Sequence, residues 1–236
     1  MLDVADKNVY APLLRSVIFF RILSRMNEPW DSPYFTPEAE TNKPRRNLPH
    51  WQQGAKWCVS TWRLADSVPR EIATQWHLEK THWLETHPVP WDEATEAEYH
   101  RLFSTRMENW LNKGTGSCVL RIPENARIVA GALEHFNGRR CELAAYVVMP
   151  NHAHVLFRPI GGYDVPGIMK SWKGFTAFQI NKRMGRKGKL WQAESWDRLI
   201  RNERHFYKTA EYIRLNPLMA GLREGFILWE RNNESQ

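Results

Sequence analysis

Residues 142–158 read ELAAYVVMPNHAHVLFR, with two apolar runs on either side of a polar turn. Residues 142–149 form a short apolar run, which is closed by Pro150-Asn151, a pair typical of turns. Apolar residues return over 154–158 in a second run of strand length. Two strand-like runs joined by so short a turn predict an antiparallel β-hairpin.

The chain before the hairpin contains one further strand and several helices. Residues 56–64 alternate, which predicts a strand with Trp57, Val59 and Thr61 on one face. Helical patterns follow over 70–82 and 93–111. A core helix is predicted from Pro123 to a stop at Asn137-Gly138.

The chain after the hairpin adds two helices and a strand. A helix is predicted over 165–184, in which Ile168, Trp172 and Phe175 share one face while Lys170 and Lys173 point elsewhere. A short strand over 196–200 comes next, followed by a helix over 203–215. The helix should end at Asn216-Pro217, because a residue before proline is driven out of the helical region.

These elements read βαββαβα and predict an α+β fold of the ferredoxin-like type. We expect an antiparallel sheet with helices on one face, an additional C-terminal helix, and a helical insertion over 66–122 after the first strand. The expected organisation is an extended or partly helical arm over 1–49, a single domain over 50–225 and a tail over 226–236. The arm is inferred from the five prolines within 27–49.

Cysteine usage and hydropathy bear on the compartment. The three cysteines are far apart in sequence and odd in number, so neither a disulfide framework nor a zinc site is predicted. Arginines interrupt the apolar segment 12–26, which is too short to span a bilayer. A cytoplasmic protein with no membrane partner is expected.

The net charge of +7 is concentrated in the C-terminal third. Residues 151–236 hold 15 Lys and Arg against eight Asp and Glu, whereas residues 1–150 hold 18 of each sign. A concentrated positive field attracts nucleic acid, although ribosomal, membrane-surface or merely solvated basic faces are alternatives. Aromatic residues that can stack on unpaired bases are interleaved with the basic ones, at Trp172, Phe175, Trp191 and Trp196. The candidate DNA-binding residues are Lys170, Lys173, Arg186, Lys187, Lys189, Arg198 and Arg201.

Two small constellations carry candidate chemistry. His152 and His154 alternate at a predicted strand, so both side chains point to one face and can bind one divalent ion, while Ala153 points into the packed side. Tyr212 is a possible nucleophile, and Asn216, four residues later on the same helical face, offers an amide oxygen to Mg²⁺ or Mn²⁺. Taken alone, these residues are better explained as ordinary polar surface, a core tyrosine and a capping asparagine.

Four sequence blocks together resemble one known family. They are YVVMPNHAHVLFRP over 146–159, SWKGFTAFQIN over 171–181, LWQAESWDRLIRNE over 190–203 and YIRLNPLMAGL over 212–222. Their order and spacing resemble those of the HUH single-tyrosine transposases, particularly the type associated with repetitive extragenic palindromes. The resemblance covers roughly residues 47–222.

The resemblance implies both a function and a set of site residues. His152 and His154 would bind Mg²⁺ or Mn²⁺ together with Asn216, and Tyr212 would attack single-stranded or hairpin DNA to form a 5′-phosphotyrosine. The enzyme would be a DNA endonuclease and strand transferase, acting as a monomer or homodimer. The chain departs from the family pattern in the small Ala153 and in the long helical insertion, which bears on DNA specificity or partner choice.

Three other enzyme classes fit the sequence less well. A replication initiator normally has a lysine three or four residues after its tyrosine, but Leu215 and Asn216 stand there. Relaxases place the tyrosine before the histidines, and a histidine-triad hydrolase would want a third alternate histidine where Leu156 stands. A domesticated DNA-binding protein that keeps the fold without cleaving DNA remains the alternative function.

Overall fold

The computed structural model describes residues 32–36, 53–88, 91–193 and 195–231. In chain order the elements are β1 (Cys58–Arg63), α1 (Arg70–Thr86), α2 (Glu93–Tyr99), a π-helical turn (His100–Ser104), α3 (Thr105–Asn112), a 3-10 turn (Val119–Arg121), α4 (Pro123–Phe136), β2 (Cys141–Val148), β3 (His152–Pro159), α5 (Val165–Arg183), β4 (Trp196–Leu199), α6 (Glu203–Met219) and β5 (Ile227–Glu230). Within these ranges, none of the helices has the length and apolar character needed to cross a membrane.

The strands form one antiparallel sheet in the order β4-β1-β3-β2-β5. The β2–β3 hairpin lies at its centre, and the helices α4 and α5 provide the two crossovers between core strands. This arrangement confirms the predicted ferredoxin-like α+β fold. Residues 227–230, which the sequence analysis assigned to the tail, form the edge strand β5 and pair with β2.

One face of the sheet is covered by α4 and α5, as predicted. Leu133 of α4 and Trp172 of α5 are fully buried there with Ala153 of β3, and the Trp172 ring stacks on that of Trp62 at 6.2 Å between centroids. Burial of a large apolar side chain such as that of Leu133 contributes roughly 1.5–3 kcal/mol.

Phe175 was predicted to share one face of α5 with Ile168 and Trp172, but it does not share their burial. Phe175 is 52% exposed, and the buried residue is Thr176, one helical turn after Trp172. The Thr176 hydroxyl donates to Trp172 O and accepts the Trp191 indole N–H at 2.9 Å. A polar residue is therefore accommodated in the core because its hydrogen bonds are satisfied.

The opposite face of the sheet is covered by the additional helix α6. Asn202 caps the start of α6, because its side chain accepts the backbone N–H of His205 at 2.8 Å. Phe206 and Ile213 then pack against the sheet, in the same cluster as Val147 and Leu156. The face that carries His152, His154 and Thr61 is thus the face on which α6 lies.

The predicted end of α6 at Asn216-Pro217 was wrong, because the helix continues to Met219. Proline lacks only its own N–H, and in the last turn this removes a single backbone hydrogen bond. Ala220 N donates to Asn216 O and Leu222 N to Pro217 O, so the helix end is satisfied without it. Asn216 consequently lies inside the helix and is fully buried.

The insertion has a small core of its own and is attached to the sheet at two places. Trp83, Tyr99 and Phe103 form this core, and the predicted helix over 93–111 is continuous except for its central π-helical turn. Glu96 of α2 forms ion pairs with Arg198 of β4, at 3.0 Å, and with Arg201. Asn151 in the hairpin turn donates to Leu111 O of α3 at 3.1 Å.

A short part of the predicted N-terminal arm is described and lies against the sheet. Phe35 N donates to Ile200 O at 2.8 Å, and Trp57 N donates to Pro33 O at 2.8 Å. Most of the arm, residues 1–31 and 37–49, lies outside the described residues.

Candidate metal and tyrosine site

Three side chains converge where the hairpin, α3 and α6 meet. One ligand atom from each of Glu108, His152 and His154 lies within 4.8 Å of the others. Both histidines are almost completely buried. The structure therefore brings the two predicted histidine ligands together and adds a carboxylate that the sequence analysis had not assigned.

The hydrogen bonds of Asn151 fix the tautomer of His152. The Asn151 amide nitrogen donates to Leu111 O and Thr115 O, so its amide oxygen must be the atom that lies 2.7 Å from His152 Nδ1. An amide oxygen only accepts, so the proton is on Nδ1 and the lone pair is on Nε2. This is the form in which imidazole binds a metal.

His154 is held in place through Thr61 on the neighbouring strand. The two residues face each other in the β1–β3 register, and Thr61 Oγ1 lies 2.7 Å from His154 Nδ1. On its other side, His154 Nε2 lies 3.6 Å from Glu108 Oε2, which is too long for a hydrogen bond. Both imidazoles therefore use Nδ1 to bind protein and direct Nε2 to the cluster.

Tyr212 and Asn216 of α6 complete the site. The Tyr212 ring meets the His154 ring edge to face at 5.4 Å between centroids. Asn216 Nδ2 donates to the Tyr212 hydroxyl at 3.1 Å, as residues four apart on a helix allow. This bond uses the nitrogen of the amide and leaves its oxygen for another partner.

Four buried ligand atoms in this site have no hydrogen-bond partner among the described residues: Glu108 Oε2, His152 Nε2, His154 Nε2 and Asn216 Oδ1. A buried unsatisfied polar atom costs about 1–3 kcal/mol, so four together in one place call for a ligand. Two imidazole nitrogens and two oxygens, one of them anionic, are a donor set suited to a divalent cation. The residues present therefore fit the metal site that the resemblance implies.

The surroundings of the site's side chains shift their pKa values in different directions. Burial, followed by the neighbouring His154, lowers the pKa of His152 to about 3, so this imidazole is neutral at physiological pH. Burial alone would raise the pKa of Glu108, but the interactions with His154 and His152 outweigh it and lower the pKa to about 2. Burial and the nearby Glu108 raise the pKa of Tyr212 well above its ordinary value, so the phenol is protonated.

Sequence reasoning missed three residues of this site, Glu108, Asn151 and Thr61. Glu108 comes from the insertion, far from the histidines in sequence. The signal available was its place on the apolar stripe of a helix, three residues before the buried Leu111, where a carboxylate is unusual. Asn151 was interpreted as a turn residue, and nothing in its spacing indicated the bond to His152.

The predicted DNA-binding residues occupy three different environments. Lys170 and Lys173 lie on α5, across the sheet from the histidines, and Lys173 Nζ donates to Gln192 O and Ala193 O at 2.8 Å each. Arg198 and Arg201 pair with Glu96. Arg186, Lys187 and Lys189 lie in the turn after α5, where both lysines are exposed.

The aromatic residues predicted to stack on bases also differ in their exposure. Trp172 and Trp191 are buried core residues, whereas Trp196 is half-buried and Phe175 is exposed. A role of the seven basic residues in binding DNA stays a prediction.

Comparisons with known proteins agree with the site. Residues 120–213 match the model of the family described as "Transposase IS200 like". A comparison with curated proteins finds no match. One similar solved structure is that of a REP-associated tyrosine transposase bound to a REP hairpin, with 18% identity, 76% of this chain and 74% of that chain covered, and a TM-score of 0.41.

A second is a crystal structure of a candidate transposase from Deinococcus radiodurans R1, with 14% identity, 70% of this chain and 93% of that chain covered, and a TM-score of 0.29. The family assignment depends on the domain match, which contains both histidines and the candidate nucleophile Tyr212. Over residues 120–213, less than half of its length, the chain is similar to the IS200-like transposase family.

Proposed function

We propose that this protein is a metal-dependent DNA endonuclease and strand transferase that acts through Tyr212 on single-stranded or hairpin DNA. It would serve in transposition or in the mobilisation of repetitive palindromic elements. One observation carries the proposal. The Tyr212 hydroxyl accepts a hydrogen bond from the amide nitrogen of Asn216, and the oxygen of the same amide is one of four buried potential metal ligands without a hydrogen-bond partner among the described residues. A transposase that uses tyrosine as its nucleophile needs these two features side by side.

His152, His154, Glu108 and Asn216 would hold Mg²⁺ or Mn²⁺. When bound, the ion would neutralise charge that develops on the scissile phosphate and align that phosphate. The protein residues then have defined tasks: Asn151 and Thr61 orient the two imidazoles, and the burial of both rings fixes their positions. Only small adjustments of the ligands would then be needed on binding.

The covalent step forms one bond and breaks one. The Tyr212 hydroxyl oxygen attacks phosphorus, the bond between phosphorus and the 3′ oxygen breaks, and the products are a 5′-phosphotyrosine and a free 3′-OH. The phenol loses its proton, and the leaving 3′ oxygen gains one. Because the phosphotyrosine conserves the ester bond, a second 3′-OH can reverse the reaction and join strands.

The role of Asn216 at this step follows from its two contacts. By donating to the Tyr212 oxygen it turns that oxygen toward the cluster and stabilises negative charge as the phenol proton leaves. The raised pKa of Tyr212 implies that little phenolate exists before substrate binds, so deprotonation accompanies the attack. Little phenolate of Tyr212 is then available to react with other electrophiles.

The test is a covalent-adduct assay. A labelled single-stranded hairpin oligonucleotide with flanks is incubated with the protein and Mn²⁺ or Mg²⁺, and adducts that survive denaturation are resolved by gel. We expect a metal-dependent adduct, its loss in Tyr212→Phe, and its survival in the matched control Tyr207→Phe on the same helix. Phe keeps the ring that packs on His154, so DNA binding should persist.

The metal assignment is tested by Mn²⁺ titration of His152→Ala, His154→Ala, Glu108→Gln and Asn216→Ala. Each variant should bind the ion at least tenfold more weakly, in line with the loss of a ligand or its immediate partner. Unchanged affinity in all four variants would refute the shared metal site. DNA binding without any adduct under all metal conditions would favour the alternative, a DNA-binding protein that has lost cleavage.

A further inference from the structure

An open groove of about 820 Å³ lies between the insertion and the β1 side of the sheet. Thr61 and Glu108 line one part of it, so the groove reaches one residue of the candidate metal site and the residue that orients His154. Ala65 and Gln192 line another part, and Ala65 N donates to Leu190 O, the residue that follows the basic turn 185–189. The groove thus extends from the candidate catalytic centre toward the segment that follows this turn.

The strand register places a tryptophan in this groove at a defined distance from the cluster. Trp196 of β4 faces Thr61 of β1, and Thr61 faces His154 of β3. Directly opposed residues of a sheet point to the same face, so the three side chains form a row across three strands. Two strand spacings amount to about 10 Å, which separates the backbone of Trp196 from that of His154.

The groove walls have the chemistry of a single-strand binding site. Trp196 and Trp76 line the groove and are half-buried, so part of each residue stays accessible. Arg63 and the exposed Arg70 supply positive charge at the wall. Aromatic residues and arginines together suit unpaired nucleotides.

We propose that this groove binds the unpaired nucleotides next to the scissile phosphate, and that the Trp196 ring is the stacking surface for one of their bases. The proposal rests on the proposed function, because the position of the scissile phosphate is defined by the candidate metal site and Tyr212. It adds a binding groove, one wall of which is the insertion, and a residue that contacts the substrate. A base held at Trp196 fixes the strand one or two nucleotides from the reacting phosphorus.

The test measures binding in the Tyr212→Phe background, where no covalent product accumulates. Two probes are compared by fluorescence anisotropy: a hairpin with a single-stranded flank, and the same hairpin without it. A series of flanked hairpins then carries one abasic nucleotide at each flank position in turn. Trp196→Leu removes the aromatic face but keeps an apolar side chain, and Trp196→Phe retains a ring.

We expect Trp196→Leu to bind the flanked hairpin about fivefold to a hundredfold more weakly, the range for loss of one stacked base. The unflanked hairpin should bind unchanged, and Trp196→Phe should recover most of the loss. One abasic position should weaken binding by a similar factor with Trp196 present and have little further effect in Trp196→Leu. This non-additivity of the two changes identifies the stacked base. It does so even if Trp196→Leu is less stable, because binding of the abasic series is also measured in the protein that retains Trp196.

The matched control is Trp229→Leu, a half-buried tryptophan on β5 at the opposite edge of the same sheet. Equal losses in Trp229→Leu and Trp196→Leu, or no abasic position coupled to Trp196, would overturn the proposal. The outcome is separable from that of the adduct assay. If one abasic position is coupled to Trp196 but no adduct forms, the cleavage proposal is refuted and the groove proposal stands. If an adduct forms but no abasic position is coupled to Trp196, only the groove proposal is refuted.

Discussion

Glu96 links the insertion to the sheet through ion pairs, and its replacement by glutamine should lower the free energy of unfolding by a predictable amount. Its side chain is 12% exposed. The carboxylate forms ion pairs with Arg198, at 3.0 Å, and with Arg201, and it lies 3.4 Å from His100 Nε2. Glutamine has nearly the same shape but no charge. The substitution therefore leaves two arginines at the β4 edge without their anionic partner.

The magnitude follows from the pKa of Glu96. Burial alone would raise this pKa, but the hydrogen bond from His100 and the charges of Arg198 and Arg201 outweigh burial and lower it from 4.5 to about 2. At about 1.4 kcal/mol per pKa unit the charged form gains about 3 kcal/mol on folding. Arg198 and Arg201 are 30% and 40% exposed, and solvent screens such pairs, so about 1–3 kcal/mol is expected.

The pH dependence has a definite sign. Because the pKa is lower in the folded state, the stabilisation by Glu96 is fully present above the unfolded-state pKa near 4.5 and is lost as pH falls toward 2. Urea unfolding of the wild type and Glu96→Gln at pH 7, 5, 4 and 3.5 measures this directly. The difference in unfolding free energy should be constant above pH 5 and shrink below it.

Glu98→Gln is the matched control, since Glu98 lies on the same helix with only an exposed pairing to Arg101 at 4.0 Å. It should change the stability by no more than about 0.5 kcal/mol. A difference between wild type and Glu96→Gln that stays the same from pH 7 to 3.5 would show that the charge of Glu96 does not attach the insertion.

Two further outcomes are expected. Thr61→Val keeps the side-chain shape but removes the partner 2.7 Å from His154 Nδ1, and isothermal titration should show Mn²⁺ affinity reduced about 10- to 100-fold with the fold intact; an unchanged affinity would mean that Thr61 does not orient the ligand. Lys187→Glu with Lys189→Glu should reduce the slope of log affinity against log salt by about 1.4 for single-stranded DNA, at about 0.7 per lost phosphate contact. Arg127→Glu on α4 is the control for the second experiment, and equal slopes in all three proteins would remove the basic turn from the DNA path.

Local patterns were sufficient for the fold because each depends on near neighbours. Alternation in 56–64 and around Ala153 assigned residues to the correct faces of the sheet, since a strand has a period of two whatever surrounds it. Helix α5 shows the limit of this reasoning. Its pattern admits Phe175 or Thr176 on the buried face, and only the packing of Trp191 against Thr176 selects between them.

The site was predictable only where its residues lie close together in sequence. His152, His154, Tyr212 and Asn216 are two short-range pairs, and spacing alone placed each pair on one face. Glu108 reaches His154 only because the insertion folds back over the end of the hairpin. Thr61 meets His154 through strand register, which face patterns do not determine.

These distant contacts give the insertion a physical role in the proposed reaction. His152, His154 and Asn216 are neutral ligands, so the sheet and α6 alone offer a divalent cation a buried site without a compensating charge. Burying an unneutralised ion is costly, and among the described residues Glu108 is the carboxylate that joins the cluster. Asn151, bonded to Leu111 and Thr115 of the insertion, also fixes the His152 tautomer. The insertion therefore supplies the anionic ligand, orients one imidazole and forms one wall of the groove, so metal affinity should fall whenever its attachment through Glu96 is weakened.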